Sequence, residues 1–274
     1  MCICSANDKI TKAIKIGINP CRYHFKDISW GKIIMDKYYI HEIKMNNCND
    51  STYISSLPIV NYLKKVERLS FSQNVTFLVG ENGTGKSTLI EAIAVCAGYN
   101  AEGGSKNFSF STKQTVSNLH QYITIVKKAY EKDGFFLRAE SFFNVASQVD
   151  NLKLNIDGYG GKSLHEQSHG ESFLSLIQNR FWGYGLYLLD EPEAALSPLR
   201  QFTLLTEINR LAENNSQFII ATHSPILLAF PNAAIYQITQ NGIEKVEYEN
   251  CEHYLLTKEF LNNPLSFIRH LFMD

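Results

Sequence analysis

The sequence lacks the features that mark several common classes of protein. No apolar run approaches the roughly 20 residues of a membrane span, and no signal-peptide apolar region stands at the N-terminus. Lys and Arg number 26 against 27 Asp and Glu, so the formal net charge is only -1. No overall positive field therefore indicates nucleic acid, although DNA stays open as a partner. We expect a cytoplasmic protein with no membrane partner.

Cysteine is scarce and carries no recognisable metal spacing. Six cysteines occur in 274 residues. Cys2, Cys4 and Cys21 could serve as metal ligands, but their spacing fits no structural zinc pattern. Reduced thiols are therefore the expectation. Internal repeats are absent too, and the roughly eighty residues between Thr88 and Ser168, without sustained heptads, exclude a long coiled-coil arm.

A glycine-rich loop between a strand and a helix is the strongest local pattern. The apolar run NVTFLV at 74–79 is typical of a strand buried on both faces, and the helix after the loop closes at Gly98. Between them, GENGTGKST fits the phosphate-loop pattern G-x-x-x-x-G-K-[ST]. Its glycines allow backbone N–H groups to converge on phosphate oxygens, and the helix start adds positive dipole.

Individual roles follow from the chemistry of the loop. Lys86 is predicted to contact the β- and γ-phosphates, and the Ser87 hydroxyl to bind Mg²⁺. The full set of predicted nucleotide contacts in this segment is Gly80, Asn82, Gly83, Gly85, Lys86, Ser87 and Thr88.

Two later buried strands, GLYLL at 185–189 and QFIIA at 217–221, are followed by polar side chains. The carboxyl ends of such strands are where α/β sheets place ligand chemistry. Asp190 is therefore predicted to hold Mg²⁺, and Glu191 to act as the general base toward the attacking water. His223 leaves the neighbouring strand end and is predicted to bond the γ-phosphate.

The elements around these strands predict an α/β fold with a mostly parallel sheet covered by helices. The helix between the two strands begins at Ser197 and Pro198. Asn241-Gly242 predicts a hairpin with a type I′ turn, and Asn263-Pro264 separates two C-terminal helices. The apolar face predicted for the central helix is Leu199, Phe202, Leu205, Ile208, Leu211 and Ala212.

In chain order, the P-loop, SHGES, LLDEPEAALSP and ATHSP resemble the Walker A, signature, Walker B with D-loop, and H-switch motifs of the ATP-binding-cassette (ABC) ATPase superfamily. Within the superfamily, the sequence most resembles the small stand-alone bacterial proteins labelled "predicted ATPase" or "AAA family ATPase". The resemblance implies a P-loop NTPase fold with a parallel sheet, an antiparallel β subdomain and a helical insert with the signature at about 100–182. It covers 57–274 and leaves 1–56 as an N-terminal extension, partly strand.

In that superfamily the signature of one subunit completes the ATP site of another. By resemblance, Ser168, Gly170 and Glu171 would contact ATP held by the P-loop of a second copy, which implies a homodimer with ATP at the interface. Residues 194–197 fall where the D-loop crosses between subunits. ATP and Mg²⁺ are the cofactors implied.

The signature departs from the transporter pattern L-S-G-G-Q. His169 replaces one glycine and Glu171 stands at the glutamine position, which is more like the SMC-type and RecF-type proteins. The loop that carries a Mg²⁺-binding glutamine in the superfamily corresponds to LRAESFF. Glu140 or Ser141 takes that position here, and Arg138 either contacts phosphate or pairs with an acid.

An adenine-stacking aromatic before the P-loop is not evident. Tyr53 and Tyr62 are the candidates, and a place in the sheet is the alternative for both. ATP is favoured through the family alone.

These patterns predict a soluble ATPase that works as an ATP-sandwich dimer and drives or gates a partner, in DNA maintenance or in defence against phage. One alternative is an ATP-gated sensor or scaffold that controls a separate protein effector, such as a nuclease. Another is the nucleotide-binding subunit of a membrane transporter.

Overall fold

The computed structural model describes residues 39–46, 53–106, 116–151 and 163–273. Most of the expected N-terminal extension, including the cysteines at 2, 4 and 21, lies outside these ranges. None of the described helices is both long and apolar enough to cross a membrane.

The described strands form two sheets. One has three antiparallel strands in the order β2-β1-β4, and the other has six strands in the order β5-β6-β7-β3-β8-β9. The strands are β1 Ile40–Met45, β2 Arg68–Ser70, β3 Val75–Gly80, β4 Ile123–Lys127, β5 Asp133–Arg138, β6 Gly185–Asp190, β7 Gln217–Ala221, β8 Ala234–Thr239 and β9 Gly242–Val246.

Parallel pairing brings the carboxyl ends of five strands to one edge of the larger sheet. All neighbours from β5 to β8 pair in parallel, and only β9 runs antiparallel to β8. The register places Arg138 opposite Asp190, and Asp190 opposite Ala221. The loops that follow β3, β6 and β7 therefore leave the sheet side by side.

The described helices lie mostly between these strands along the chain. They are α1 Pro58–Val66, α2 Lys86–Ala97, α3 Phe142–Asn151, α4 His169–Arg180, α5 Pro198–Glu213, α6 Pro225–Leu228, α7 Glu252–Asn262 and α8 Pro264–Met273. Helix α2 ends where Gly98 adopts a left-handed conformation, with φ of 91°. A break at Asn263 separates α7 from α8.

The larger sheet is buried on both faces, which explains the continuous apolar runs of its strands. Phe77, Leu189 and Ile220 belong to one hydrophobic cluster, which also takes in the inner faces of α4 and α5. The alternate residues Leu78 and Leu188 belong to a second cluster with α2 and β1. Each fully buried side chain of this size contributes about 1.5–3 kcal/mol to stability, so both faces of the sheet stabilise the fold.

The apolar face predicted for α5 is wrong at its first turn. Leu199 and Phe202 are 59% and 54% exposed. The buried face of the helix instead runs from Ile208 to Leu204, four residues earlier, and to Gln201, three residues before that. Gln201 is tolerated there because its side chain donates to Leu196 O at 3.2 Å and accepts from Ser224 Oγ at 2.5 Å.

The C-terminal hairpin forms as predicted, but its turn does not. Thr239 pairs with Gly242, so the two loop residues are Gln240 and Asn241. Neither has positive φ, which a type I′ turn requires at both positions. The positive φ falls instead on Gly242, at 149°.

Three described strands lie in segments that were expected to form the N-terminal extension or the helical insert. Strand β1 lies within the expected N-terminal extension but is the central strand of the antiparallel sheet, between β2 and β4. Strands β4 and β5 lie within the expected helical insert, so its described helical part narrows to α3 and α4.

Candidate nucleotide site

The phosphate loop is braced by the start of α1. Gly85 is the N-cap of α2 with φ of 96°, and a Cβ at this position would lie 2.6 Å from Ile59 Cγ2. The Ile59 N–H donates to Thr84 O at 3.2 Å, and the Thr84 hydroxyl donates to Glu81 O at 2.8 Å. No side chain caps α2, so its first N–H groups are available for an anion.

Lys86 lies buried inside the loop. Its Nζ donates to Gly80 O at 2.7 Å and to Glu81 O at 2.9 Å. Burial lowers the pKa of this amine, while Glu191 and Asp190 oppose the shift. Its neighbours Ser87 and Thr88 are half-buried, whereas Asn82 and Gly83 are exposed at the rim of the loop.

Asp190 is the buried carboxylate of the site. Burial raises its pKa to about 6, while Arg138 and the Ser87 hydroxyl oppose the shift. Its Oδ1 is buried and has no hydrogen-bond partner. A free carboxylate oxygen beside a hydroxyl suits Mg²⁺, which prefers hard oxygen ligands, so Ser87 and Asp190 are the residues that could hold it.

Arg138 pairs with acids, which is one of its two predicted roles. Its Nη1 donates to Glu91 Oε2 at 2.9 Å. Its Nε lies 3.1 Å from Asp190 Oδ2 as a charge contact, and its Nη2 lies 3.7 Å from Glu140 Oε2. Arg138 thus offsets part of the negative charge beside the predicted Mg²⁺ ligands.

Of the two residues proposed for the glutamine position, Glu140 is the one at the site. Its side chain is 74% exposed and borders the same cleft as Ser87. Ser141 is buried, and its hydroxyl donates to Glu102 O, away from the cleft. A side chain held in that way is not available to a ligand.

Glu191 and His223 meet at the strand ends. Glu191 has a left-handed backbone conformation with φ of 49°. Its side chain is 42% exposed. Its Oε1 lies 3.8 Å from His223 Nε2. The backbone N–H of His223 donates to Glu193 Oε1 at 2.6 Å, so the Glu193 carboxylate holds the backbone at the histidine.

A second histidine, His253 at the start of α7, was not predicted from the sequence. Its Nε2 lies 3.0 Å from His223 Nδ1. Burial, together with Lys86 and His253, lowers the pKa of His223 to about 4. Burial also lowers the pKa of His253. In the sequence, His253 lies in the tail segment EHYLLTKEF. No motif or spacing along the chain indicates that it contacts His223.

A cleft of about 270 Å³ lies beside Ser87, Asp190 and Glu191. It brings residues of the P-loop, the Asp190 strand end and the LRAESFF loop together with His169 of the SHGES segment, whose place here was not predicted. Its lining residues are Ser87, Arg138, Ala139, Glu140, His169, Asp190, Glu191 and Ala194.

The start of α4 carries Ser168 and Glu171, two of the residues predicted to contact ATP of a second copy. The Ser168 N–H donates to Glu171 Oε2 at 3.2 Å. Arg200 donates to Ser168 Oγ at 3.3 Å and to Glu171 Oε1 at 2.8 Å. Hydrogen bonds from Ser168, and then Arg200, lower the pKa of the Glu171 carboxyl. Both Ser168 and Glu171 remain exposed.

Gly170 is buried between α4 and the 194–197 segment. A Cβ here would lie 2.8 Å from Ala195 O and 2.7 Å from Arg200 Nη1. The absence of a side chain therefore allows close approach of the two segments that the family resemblance assigns to the subunit interface.

Neither candidate adenine aromatic lies in a sheet. Tyr53 is 63% exposed in a short 3-10 turn. Tyr62 is on α1, and a Cβ at Gly242 of the hairpin would lie 2.8 Å from Cδ2 of its ring. Neither residue lines the cleft that contains Ser87.

Two family models match the chain. The model described as "AAA domain" matches residues 59–185, and the model described as "AAA domain, putative AbiEii toxin, Type IV TA system" matches residues 167–229. Together the two matched segments include the P-loop, the start of α4, the acids Asp190 and Glu191, and His223. These matches support a P-loop ATPase of the ABC-type superfamily.

The curated relatives of this chain include ATP-binding proteins of importers. The ribose import ATP-binding protein RbsA of Bacillus cereus is 25% identical over 183 residues, 59% of this chain and 36% of that protein. The vitamin B12 import ATP-binding protein BtuD of Vibrio cholerae is 25% identical over 195 residues, 62% and 76% of the two chains. The chain thus spans about a third of the length of RbsA.

Among solved structures, the SMC head domain from Thermotoga maritima matches with a TM-score of 0.42 and 15% identity. The match covers 77% of this ABC-type chain and 100% of that chain.

Proposed function

We propose that this protein binds ATP with Mg²⁺ and hydrolyses it at the edge where β3, β6 and β7 end. The observation that carries the proposal is the buried Asp190, whose Oδ1 has no partner, beside the Ser87 hydroxyl. The charges of Asp190 and Glu191 both act on Lys86. This is the combination of cation, hydroxyl and acids that phosphoryl transfer needs.

Each group has a distinct role in that reaction. Lys86 binds the β- and γ-phosphates in exchange for its bonds to the carbonyls of Gly80 and Glu81. Ser87 and Asp190 hold Mg²⁺, with Glu140 at the rim; the metal supplies neutralisation of phosphate charge when bound. Glu191 orients the attacking water and accepts its proton, and His223 donates a hydrogen bond to the γ-phosphate.

We further propose that the ATP site is completed by α4 of a second copy. Ser168 is exposed at the N-terminus of this helix, where the dipole favours an anion. Glu171 would repel a phosphate there, but Arg200 contacts this carboxylate at 2.8 Å and offsets its charge. The support is thus an accessible hydroxyl and helix end with a guanidinium beside them.

The work of such a dimer would be to drive or gate a partner, in DNA maintenance or in defence against phage. A second candidate is an ATP-gated sensor or scaffold that controls a separate protein effector. It is favoured by exposed apolar side chains on the two C-terminal helices, because such a surface commonly binds another protein. These side chains are Leu255, Leu256, Leu261, Leu265, Leu271 and Phe272.

A transporter subunit is less well supported, although the curated relatives are named for import. His169 and Glu171 replace the glycine and glutamine of the transporter signature, and both are exposed at the start of α4.

The test compares ATP turnover and oligomeric state in the wild type and Glu191→Gln. We expect turnover to fall about 100-fold or more, because the general base is lost while phosphate binding remains. The variant should accumulate as an ATP-bound dimer in light scattering, and a pull-down in that state would capture an effector. Glu244→Gln, an exposed acid on β9, is the matched control. A wild type without ATP turnover, or an equally active Glu191→Gln, would contradict the proposal.

A further inference from the structure

The contact between His223 and His253 is a hydrogen bond that contains one proton. His223 Nδ1 and His253 Nε2 are 3.0 Å apart, and two bare nitrogens at that distance would repel each other. Burial lowers the pKa of both rings, so both are neutral at pH 7. Each neutral ring carries its proton on one nitrogen only, so the donor in this bond sets the tautomer of both.

We propose that His253 is a positioning residue that donates from Nε2 to His223 Nδ1 and thereby keeps the proton of His223 on Nε2. The inference rests on the proposed function, because it assigns to His223 Nε2 the task of donating to the γ-phosphate of ATP.

The environment of His223 Nε2 favours this arrangement. This nitrogen lies 3.8 Å from Glu191 Oε1 and has no hydrogen-bond partner of its own. An N–H there is attracted to the carboxylate, whereas a bare nitrogen would turn its lone pair toward negative charge. The same N–H suits an incoming phosphate oxygen, while a lone pair would repel it.

The far side of His253 offers no acceptor, in contrast to the surroundings of His223 Nε2. His253 Nδ1 is buried and has no hydrogen-bond partner. In the opposite arrangement, His223 would donate and His253 would carry its proton on Nδ1, which would bury an N–H without an acceptor. A buried unpaired donor is rare and costly. The proposed arrangement leaves its unbonded N–H on His223 Nε2 instead, where the Glu191 carboxylate at 3.8 Å offsets part of that cost.

The start of α7 is held firmly enough for His253 to act in this way. Cys251, two residues earlier, is fully buried in the main hydrophobic cluster. The Glu252 N–H donates to Gln237 Oε1 at 3.1 Å, which ties the helix to β8. The Thr257 hydroxyl donates to His253 O at 2.7 Å. The imidazole is therefore placed by packing and backbone contacts rather than by its partner alone.

The kinetic test compares His253→Leu with His253→Gln. We expect His253→Leu to lower kcat about 10-fold with KM for ATP changed less than about 2-fold, because one hydrogen bond that positions His223 is lost while the P-loop is intact. In His253→Gln the amide N–H can replace the Nε2 donor, so kcat should stay within about 3-fold of wild type. His270→Leu is the control, since this exposed histidine contacts only Ser266 O in its own helix.

A spectroscopic test needs no turnover. In protein with ¹⁵N-labelled histidine, the shifts of the two ring nitrogens identify the tautomer directly. We expect His223 to carry its proton on Nε2 in the wild type and in His253→Gln, and to populate both tautomers in His253→Leu. His223→Gln serves to assign the resonances.

Three results would overturn the inference: a wild-type His223 protonated on Nδ1, a His253→Leu variant as active as wild type, or a His253→Gln variant no better than His253→Leu. A wild type that turns over no ATP would refute the proposed function instead. The tautomer spectrum would then still decide whether His253 sets the protonation of His223.

Discussion

The N-termini of α2 and α4, which are both expected to bind phosphate, differ in the side chains that contact them. Helices α2 and α4 are both 12 residues long. The start of α2 has Gly85 as its N-cap, with no side chain bonded to its free N–H groups. At the start of α4, the Ser168 N–H already donates to Glu171, and Arg200 contacts both side chains.

The N-terminus of α2 is therefore open to an anion, whereas the N-terminus of α4 is partly occupied by the Glu171 carboxylate. An anion can enter at α2 without displacing a side chain, because the orphan N–H groups of the helix are open and Lys86 is beside them. At α4 a phosphate must compete with the carboxylate of Glu171. We infer that the P-loop end binds nucleotide in a single chain, whereas the α4 end contributes only when a second copy supplies phosphates.

The largest expected effect is the loss of nucleotide binding in Lys86→Ala. The buried amine is the main positive charge inside the loop, and removing it leaves the phosphates uncompensated. We expect ATP affinity to fall at least about 100-fold in a fluorescence or calorimetric titration. Lys64→Ala, an exposed lysine on α1, should bind as wild type. Tight ATP binding by Lys86→Ala would mean that α2 is not the primary anion site.

The second prediction concerns the α4 end. Ser168→Arg should leave ATP affinity of the monomer within about 3-fold of wild type, because Ser168 does not contact the P-loop of its own chain. The bulky side chain should abolish ATP-dependent dimerisation in light scattering. Gln178→Arg, exposed near the far end of the same helix, should dimerise normally. If Ser168→Arg unfolds the protein or still dimerises, the contrast between the two helix ends fails.

The smallest expected effect is on stability against pH. The pKa of His223 is lowered from 6.5 to about 4, so between these values the unfolded chain binds more protons than the folded one. The free energy of unfolding therefore falls as pH drops through this window and is constant with respect to this group above it. Partial exposure limits the change to on the order of 1 kcal/mol.

Chemical denaturation at pH 7 and pH 4.5 measures that change. We expect His223→Gln to reduce the difference in unfolding free energy between the two pH values, while His270→Gln should not. An unchanged difference would show that neither burial nor Lys86 disfavours the protonated form of His223.

Local sequence was sufficient for much of the fold. The buried strands β3, β6 and β7, the helix after the P-loop and the break at Asn263 are as predicted, because each depends on a contiguous pattern of apolar residues, glycine or proline. The prediction failed where a local pattern was compatible with more than one solution. The face of α5 is one case, since Leu204 and Leu205 both lie one turn before Ile208.

The arrangement of the hairpin turn is a similar case. Asn241-Gly242 favours one type of turn, yet pairing of Thr239 with Gly242 moves the loop back by one residue. The packing of Gly242 against Tyr62 on α1 involves a segment far away in the chain. A dipeptide preference carries no information about such a neighbour.

The amino-acid sequence by itself determined the phosphate loop and the acids and histidine at the strand ends, because each is a short contiguous motif whose backbone geometry is local. Only the tertiary structure decided that Arg138 pairs with acids, that Glu140 rather than Ser141 reaches the cleft, that Arg200 covers Glu171, and that His253 contacts His223. Many of these contacts join residues about thirty or more positions apart. Their geometry depends on how helices pack on the sheet, which residue spacing along the chain does not specify.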